Sequence, residues 1–142
     1  PNIQILTKDA RDILPKEVPM KNFVGNMANA CLIASAFSTD NYQLFSRSLK
    51  DIVIEPVRST LIPGFDDVKS VALEAGADGM TISGAGPAVF AITNLKNKAP
   101  IIEDAMARTF QKNGVECTTL ITTPSQRGSV QITSDDFDFF DH

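Results

Sequence analysis

The chain has 142 residues, of which 43% are hydrophobic and 21% are charged, and its net charge at pH 7 is −4. This composition is that of one globular domain with an apolar core, and its acidity argues against nucleic acid or an anionic membrane as a partner. No apolar run approaches the roughly 18–20 residues that a membrane span needs, and no signal-peptide pattern opens the sequence, so we expect a cytoplasmic protein. The one histidine is His142, which argues against Ser–His, Cys–His and zinc chemistry.

The first part of the chain predicts a strand, a short helix and a long helix. The segment NIQIL is a strand candidate over residues 2–6, and Thr7 is a candidate N-cap for the short helix that follows. Apolar residues then recur at helical spacing from Met20 to about Phe37, which predicts a long and largely buried helix. This apolar stripe consists of Met20, Phe23, Val24, Met27, Cys31 and Ala34.

The middle of the chain predicts two more helices on either side of an irregular segment. Asp40 is placed to cap a helix over about 40–49. The prolines of KDIVIEPVRSTLIPGF predict that this segment is irregular. A further helix begins at Asp66 or Asp67, and Gly76 is placed just past its end.

The last part of the chain predicts strands around one helix. The β-type runs ADGMTIS and AVFAITN lie on either side of residues 84–87, a helix follows from Asn97 to Asn113, and VECTTLITTP and GSVQI are two more strand candidates. This order predicts one α+β domain over 1–142, with an antiparallel sheet of about four strands and helices packed on one face.

The glycine-rich stretch ISGAGPAVFAI joins the two central β-type runs. A dinucleotide-binding fingerprint needs a helix and a third glycine at this point, but Val89 holds that position and a strand pattern follows Pro87. A Walker loop is excluded because no G-K-[ST] occurs. A tight turn between strands explains a bare G-x-G-P, and exposed backbone N–H groups would also suit an anion.

Three separated motifs of the sequence resemble those of a known family. TKDARDILP, DIVIEPVRSTLIPGF and ALEAGADGMTISGAGPAVFAI, in this order and spacing, resemble the homoserine kinases, a family within the GHMP small-molecule kinases. The resemblance covers essentially the whole chain. It implies a ferredoxin-like C-terminal domain, homoserine as substrate, ATP and Mg²⁺ as cofactors, and production of O-phospho-L-homoserine in threonine biosynthesis.

The resemblance also implies a role for the glycine-rich loop. In such kinases SGAGP lies near the nucleotide phosphates and the substrate, and it supports the main phosphate loop. This role falls here on Ser83, Gly84, Ala85 and Gly86. Ala88 stands where the family usually has Ser or Thr, so only backbone contacts are implied.

Two arginines lie inside the motifs that are specific to homoserine kinases. A carboxylate such as that of homoserine suits a guanidinium, because two parallel N–H donors match its two oxygens. The resemblance implies that Arg11 and Arg58 bind this carboxylate, with Thr7 near the same pocket. Without it, both arginines would be read as solvated surface residues.

The resemblance extends to a part that the sequence lacks. These kinases cradle the triphosphate in a long P-x-x-x-G-L-G-S-S-A-A loop, which does not occur here. We therefore expect a C-terminal domain that is inactive alone, without a catalytic residue or metal site of its own. A mevalonate-type GHMP kinase and a non-catalytic small-ligand or regulatory domain are the alternatives. We also expect residues 83–87 to be a mobile, exposed wall of a cleft, and an apolar face to form a homodimer or bind a neighbour.

Overall fold

The computed structural model of the chain describes residues 1–125. Within that range it contains six α-helices, one 3₁₀ turn and two strands. In chain order these are α1 (Thr7–Asp12), α2 (Met20–Ser38), α3 (Tyr42–Ser48), α4 (Glu55–Arg58), the 3₁₀ turn (Ser59–Leu61), α5 (Phe65–Glu74), β1 (Gly79–Ile82), β2 (Val89–Ile92) and α6 (Ala99–Lys112).

The first three helices match the sequence pattern in place, but the two predicted caps, of α1 and of α3, are wrong. Thr7 is already helical and Leu6 precedes it as the N-cap, so the prediction that Thr7 caps α1 is wrong. Asp40 has a φ of 49° and does not cap α3. The cap is Asn41, whose side-chain oxygen accepts a hydrogen bond from Leu44 N at 2.9 Å. The left-handed turn at Asp40 places the next residue, not Asp40 itself, at the helix start.

The segment predicted to be irregular contains one turn of α-helix, α4, with Pro56 at its start, and the 3₁₀ turn directly after it. Proline is tolerated there because the first N–H groups of a helix have no intrahelical acceptor. α5 then begins at Phe65, after Gly64 at φ 76°. Gly76, at φ 103°, follows the end of α5 as predicted.

The sheet of the described residues is smaller than predicted. β1 and β2 pair antiparallel, with Gly79 opposite Ile92. The strands predicted over 2–6 and 115–124 are wrong, since the structure assigns no strand to either segment. The segment GSVQI lies outside the described residues.

The two segments that do not form strands still contribute side chains to the interior. Ile3, Ile5 and Cys117 pack against the core, and Asn2 N–H donates to the Glu116 carbonyl at 2.6 Å. These two segments therefore place apolar side chains against the core without forming strands. One backbone bond is not a ladder, however, because a strand needs a repeated pattern of such bonds.

Helices α5 and α6 pack on each other and on the β1–β2 hairpin. Their contact forms the core, which confirms the α+β class. The buried core residues are Ile62, Phe65, Val68, Ala72, Ala77, Met80, Ile102, Phe110 and Val115.

The long helix α2 lies outside this core. Its predicted bounds are confirmed, but the predicted burial is wrong: Met20 is 73% exposed and Phe23 is 52% exposed, and Ala36 is the helix's one buried residue. α2 packs on α3 and leaves most of its apolar stripe uncovered. Among residues 1–125, no helix is both long and apolar enough to cross a membrane.

Polar groups connect α2 to the segment before α4. Asn26 donates to Asp51 Oδ1 at 2.8 Å and accepts from Ile52 N at 2.8 Å. Asp51 Oδ1 also accepts from Val53 N and Ile54 N. Partial burial opposes the charge on Asp51, but these hydrogen bonds outweigh it and hold its pKa below the ordinary value.

Candidate functional site

The three sequence motifs meet at the side chain of Arg58. Its Nε–H donates to the carbonyl of Ala10 on α1 at 3.1 Å, and its Nη1 donates to the carbonyl of Gly84 in the glycine-rich loop at 3.1 Å. Arg58 itself closes α4 in the second motif. One half-buried guanidinium therefore links α1, α4 and the loop.

Thr7 and Arg11 lie one helical turn apart on α1. At this spacing two side chains are neighbours on one helix face. Both residues are exposed, while Ala10, the residue before Arg11, is fully buried and accepts the bond from Arg58. Within residues 1–125, the Arg11 guanidinium has no hydrogen-bond or ion-pair partner. The structure thus brings Arg58 next to the α1 turn that carries Thr7 and Arg11.

The loop over residues 83–87 joins β1 to β2, as predicted. It is closed by Ser83 N–H donating to the Ala88 carbonyl at 2.8 Å and by Gly86 N–H donating to the Ser83 carbonyl at 3.0 Å. Within the part of the chain that the structure describes, no backbone acceptor faces the N–H groups of Gly84 and Ala85. Of these two residues, Gly84 is exposed and Ala85 is half-buried.

The two loop glycines have different surroundings. Gly84 has a φ of 59°, and a Cβ built on it would have nothing within 4 Å. Gly86 has a φ of 82°, and its Cβ would contact Ile82 at 3.4 Å and Ile62 at 3.5 Å. Both positions favour glycine by their backbone conformation. Only the Gly84 side is open to a ligand.

A large cavity of the domain lies away from this loop. It has a volume of about 940 Å³ and is bordered by β2, α3, α6 and the segment after residue 116. Neither Arg11, Arg58 nor any residue of 83–87 lines it. This cavity lies along β2, and the loop contributes nothing to its lining. The expected cleft beside the loop is therefore not this cavity.

No metal centre accompanies the site in the described part of the chain. Residues 1–125 contain no group of three or more His, Cys, Asp or Glu side chains placed to hold a metal ion. The aspartates of the C-terminal stretch SDDFDFFDH, residues 134–142, lie outside the described residues.

One residue of the second motif had no role assigned from the sequence. Glu55 is 8% exposed at the start of α4, and its two carboxylate oxygens bind Lys69 and Thr81. These partners are 14 and 26 residues away along the chain. The E-P-x-R spacing was the one sequence signal that could have drawn attention to this carboxylate.

Comparison with known proteins places these features in a family context. Residues 33–112 match the family described as GHMP kinases C terminal. The homoserine kinase of Chloroherpeton thalassium is 44% identical over 112 residues, which cover 79% of this chain and 35% of that protein. The homoserine kinase of Pyrococcus furiosus is 42% identical over 123 residues, covering 86% of this chain and 41% of that protein.

A solved structure agrees with these relatives. The crystal structure of homoserine kinase from Cytophaga hutchinsonii superposes with a TM-score of 0.75 at 42% identity, over 79% of this chain and 36% of that one. The chain thus spans between about a third and two fifths of the length of these relatives.

Proposed function

This chain belongs to the GHMP kinases through their C-terminal domain, and we propose that it is the substrate-side part of an ATP-dependent homoserine kinase. The resemblance drawn from the three motifs is confirmed by the comparisons. The proposed reaction transfers the γ-phosphoryl group of ATP to the hydroxyl of L-homoserine, giving O-phospho-L-homoserine and ADP. Its proposed place is threonine biosynthesis in the cytoplasm.

The observation that supports this proposal most is the position of Arg58. Two of its five N–H donors bind the Ala10 and Gly84 carbonyls, and three remain. Those three can bind a carboxylate as charge-assisted hydrogen bonds. Because one guanidinium touches both α1 and the loop, a bound amino acid would lie next to the proposed phosphate-side residues.

The α1 face completes the proposed carboxylate site. Arg11 is exposed and has no hydrogen-bond or ion-pair partner within residues 1–125, and Thr7 is one turn away on α1. Two guanidinium groups near one carboxylate would fix its orientation and leave the side-chain hydroxyl of homoserine directed away from it. Holding the acceptor in one orientation is the main protein contribution that phosphoryl transfer requires.

The loop fits a supporting role toward nucleotide phosphate. The N–H groups of exposed Gly84 and half-buried Ala85 have no backbone acceptor within residues 1–125, and the side of Gly84 is open. Such successive N–H groups favour an anion. Bound ATP would supply the phosphoryl group, and Mg²⁺ would neutralise charge on its phosphates, but the described residues do not offer a ligand set for Mg²⁺. No step through the metal is assigned to this chain.

Two finer parts of the proposal concern shape and partners. The four-stranded, ferredoxin-like sheet of the family remains a proposal beyond the two strands that the described residues form. The exposed apolar stripe of α2 is the face on which we expect a second copy or a neighbouring domain.

The carboxylate site can be tested in the full-length kinase. Arg58→Ala and Arg11→Ala should each weaken homoserine affinity by about ten- to a hundredfold, since a hydrogen bond to a charged group is lost, while ATP affinity stays unchanged. Arg→Lys should not restore either site, because lysine lacks the planar fork. Arg108→Ala, at an exposed arginine on α6 that pairs with Asp104, is the matched control. Unchanged homoserine affinity in both alanine variants would contradict the assignment.

Activity of the chain by itself is a separate test. Residues 1–142 should not turn over homoserine with ATP and Mg²⁺, because the sequence lacks the family's main phosphate loop. A coupled assay for ADP release measures this directly. Turnover near the roughly 1–100 s⁻¹ typical of kinases would show that the phosphate site is complete without that loop.

A further inference from the structure

Glu55 is the one buried charged residue among residues 1–125. Lys69 on α5 forms an ion pair with its Oε1, and the Thr81 hydroxyl on β1 donates to its Oε2. Both carboxylate oxygens are thus held, by side chains from two different elements. The cation of Lys69 also lies 5.7 Å from the centre of the Phe65 ring, so this side chain is itself fixed on the surface of the core.

Burial of the Glu55 carboxylate beside Lys69, whose side chain is 29% exposed, needs a reason beyond stability. Desolvating the carboxylate offsets much of its attraction to the cation, and an apolar pair of similar size would serve the core as well or better. What a doubly held carboxylate provides is a defined position for the residue that carries it. Here that residue begins α4, which is one turn long.

A single helical turn does not hold its own orientation. Its few hydrogen bonds barely balance the entropy of ordering its backbone, so α4 depends on contacts with the rest of the domain. Glu55 and Arg58 are three residues apart and lie on neighbouring positions of the same turn. A fixed position of Glu55 therefore also fixes the backbone from which the Arg58 side chain extends.

We propose that Glu55 is the positioning residue for Arg58. Lys69 and Thr81 hold its carboxylate, the held carboxylate fixes α4 against α5 and β1, and α4 presents the Arg58 guanidinium between the Ala10 and Gly84 carbonyls. The role in substrate binding rests on the proposed function. The positioning itself does not, because it is a statement about the geometry of this chain.

The direct readout is the Nε–H proton of Arg58, which the structure places in a hydrogen bond to Ala10. Hydrogen exchange of this proton is followed by NMR in the 142-residue chain. In Glu55→Gln we expect exchange at least about tenfold faster, since one hydrogen bond to a charged group is lost. The backbone amides of Val68 and Met80, fully buried in the core, should exchange as before.

Two further variants keep the test decisive if Glu55→Gln does not fold. Thr81→Val removes one donor and leaves the ion pair, and it should accelerate exchange at Arg58 by a smaller factor. Glu74→Gln, at an exposed glutamate on α5, is the matched control and should change nothing. Unchanged Arg58 exchange in a folded Glu55→Gln or Thr81→Val would overturn the proposal, as would equal acceleration at Arg58 and at the core amides.

Homoserine titration of the full-length kinase separates this inference from the proposed function. If both hold, Glu55→Gln raises the KM for homoserine and leaves the KM for ATP unchanged. If Arg58→Ala has no effect on homoserine while Glu55→Gln still frees Arg58, the substrate assignment fails and the positioning role is supported. If Arg58→Ala impairs homoserine use and Glu55→Gln changes neither exchange nor KM, the positioning role fails.

Discussion

Two regions of this domain have similar apolar content but bury it to different extents. In the region formed by α5, α6, β1 and β2, Phe110 is 2% exposed and Met80 is fully buried. In the α2–α3 pair, Phe23 is 52% exposed and Met27 is 51% exposed. Both regions show helical or strand periodicity that predicts burial. The difference shows that periodicity identifies a face that favours a partner, without telling whether the partner lies in the same chain.

The two regions also differ in the interactions that hold them in the domain. The α5–α6–sheet region is held by apolar contacts. The α2–α3 pair is held to its surroundings largely by side-chain hydrogen bonds, from Asn26 to Asp51, from Asn29 to the Lys50 carbonyl at 2.9 Å, and from Tyr42 to Asp78 at 2.7 Å. We expect mutations in the two regions to act through these different forces.

The largest contrast is expected between two phenylalanines. Phe110→Ala should lower the free energy of unfolding by about 3–5 kcal/mol, because it opens a cavity in the core. Phe23→Ala should change it by no more than about 0.5 kcal/mol, as an exposed substitution. Urea denaturation of both variants, followed by circular dichroism, measures the difference. Equal losses would mean that α2 is covered in the isolated chain.

The next effect concerns the polar attachment of α2. Asn26→Ala should cost about 1–3 kcal/mol at neutral pH, because Asp51 and Ile52 each lose a partner. The pKa of Asp51 in the folded chain lies below its ordinary value. Its contribution to the free energy of unfolding is therefore complete at pH values above the ordinary pKa, and it is lost as the pH falls through the pKa of the folded chain. The variant should raise this pKa and shrink that pH-dependent part of the stability.

The control for Asn26 is Asn29→Ala, on the next turn of the same helix. Asn29 binds the Lys50 carbonyl and not Asp51, so its loss should leave the pH dependence of unfolding unchanged. The comparison is made by urea denaturation at about pH 7 and about pH 3, with the Asp51 carboxyl carbon followed by NMR. The same pH dependence in both variants would show that Asn26 does not control the charge on Asp51.

The smallest predicted effect distinguishes the two candidate caps of α3. Asn41→Ala should cost about 1 kcal/mol, because Leu44 N–H loses its acceptor. Asp40→Gly should cost nothing or be slightly stabilising, since glycine accepts the positive φ of that position more readily. Thermal denaturation of both variants decides between them. A larger loss in Asp40→Gly would restore Asp40 as the cap.

These outcomes show what the sequence could predict about the fold. The bounds of α2 and the β1–β2 hairpin followed from periodicity and turn residues alone. The strands over 2–6 and 115–124 did not form, although Ile3 and Ile5 do face the core, because alternation reports which side chains are buried and not whether neighbouring backbones pair. The cap of α3 was displaced by one residue because the left-handed turn at Asp40 is not visible in a capping pattern.

The candidate site was predictable only in part, and by a different route. Arg11, Arg58 and Thr7 came from the resemblance of their motifs, since an arginine on a surface helix carries no physical signal of its own. The link from Arg58 to Ala10 and Gly84 joins segments far apart in the sequence, so it required the fold. The burial of Glu55 likewise depends on Lys69 of α5 and Thr81 of β1, and no local sequence pattern predicts that these residues are its partners.

The bond between Asn2 N–H and the Glu116 carbonyl has a consequence for biosynthesis. A chain lengthening at about 5–20 residues per second needs roughly 6–23 s to proceed from the first of these residues to the second. During that interval Ile3 and Ile5 have left the ribosome before α5, β1 and α6, against which they will pack, are complete. The core of the domain can therefore close around Ile3 and Ile5 only after that interval.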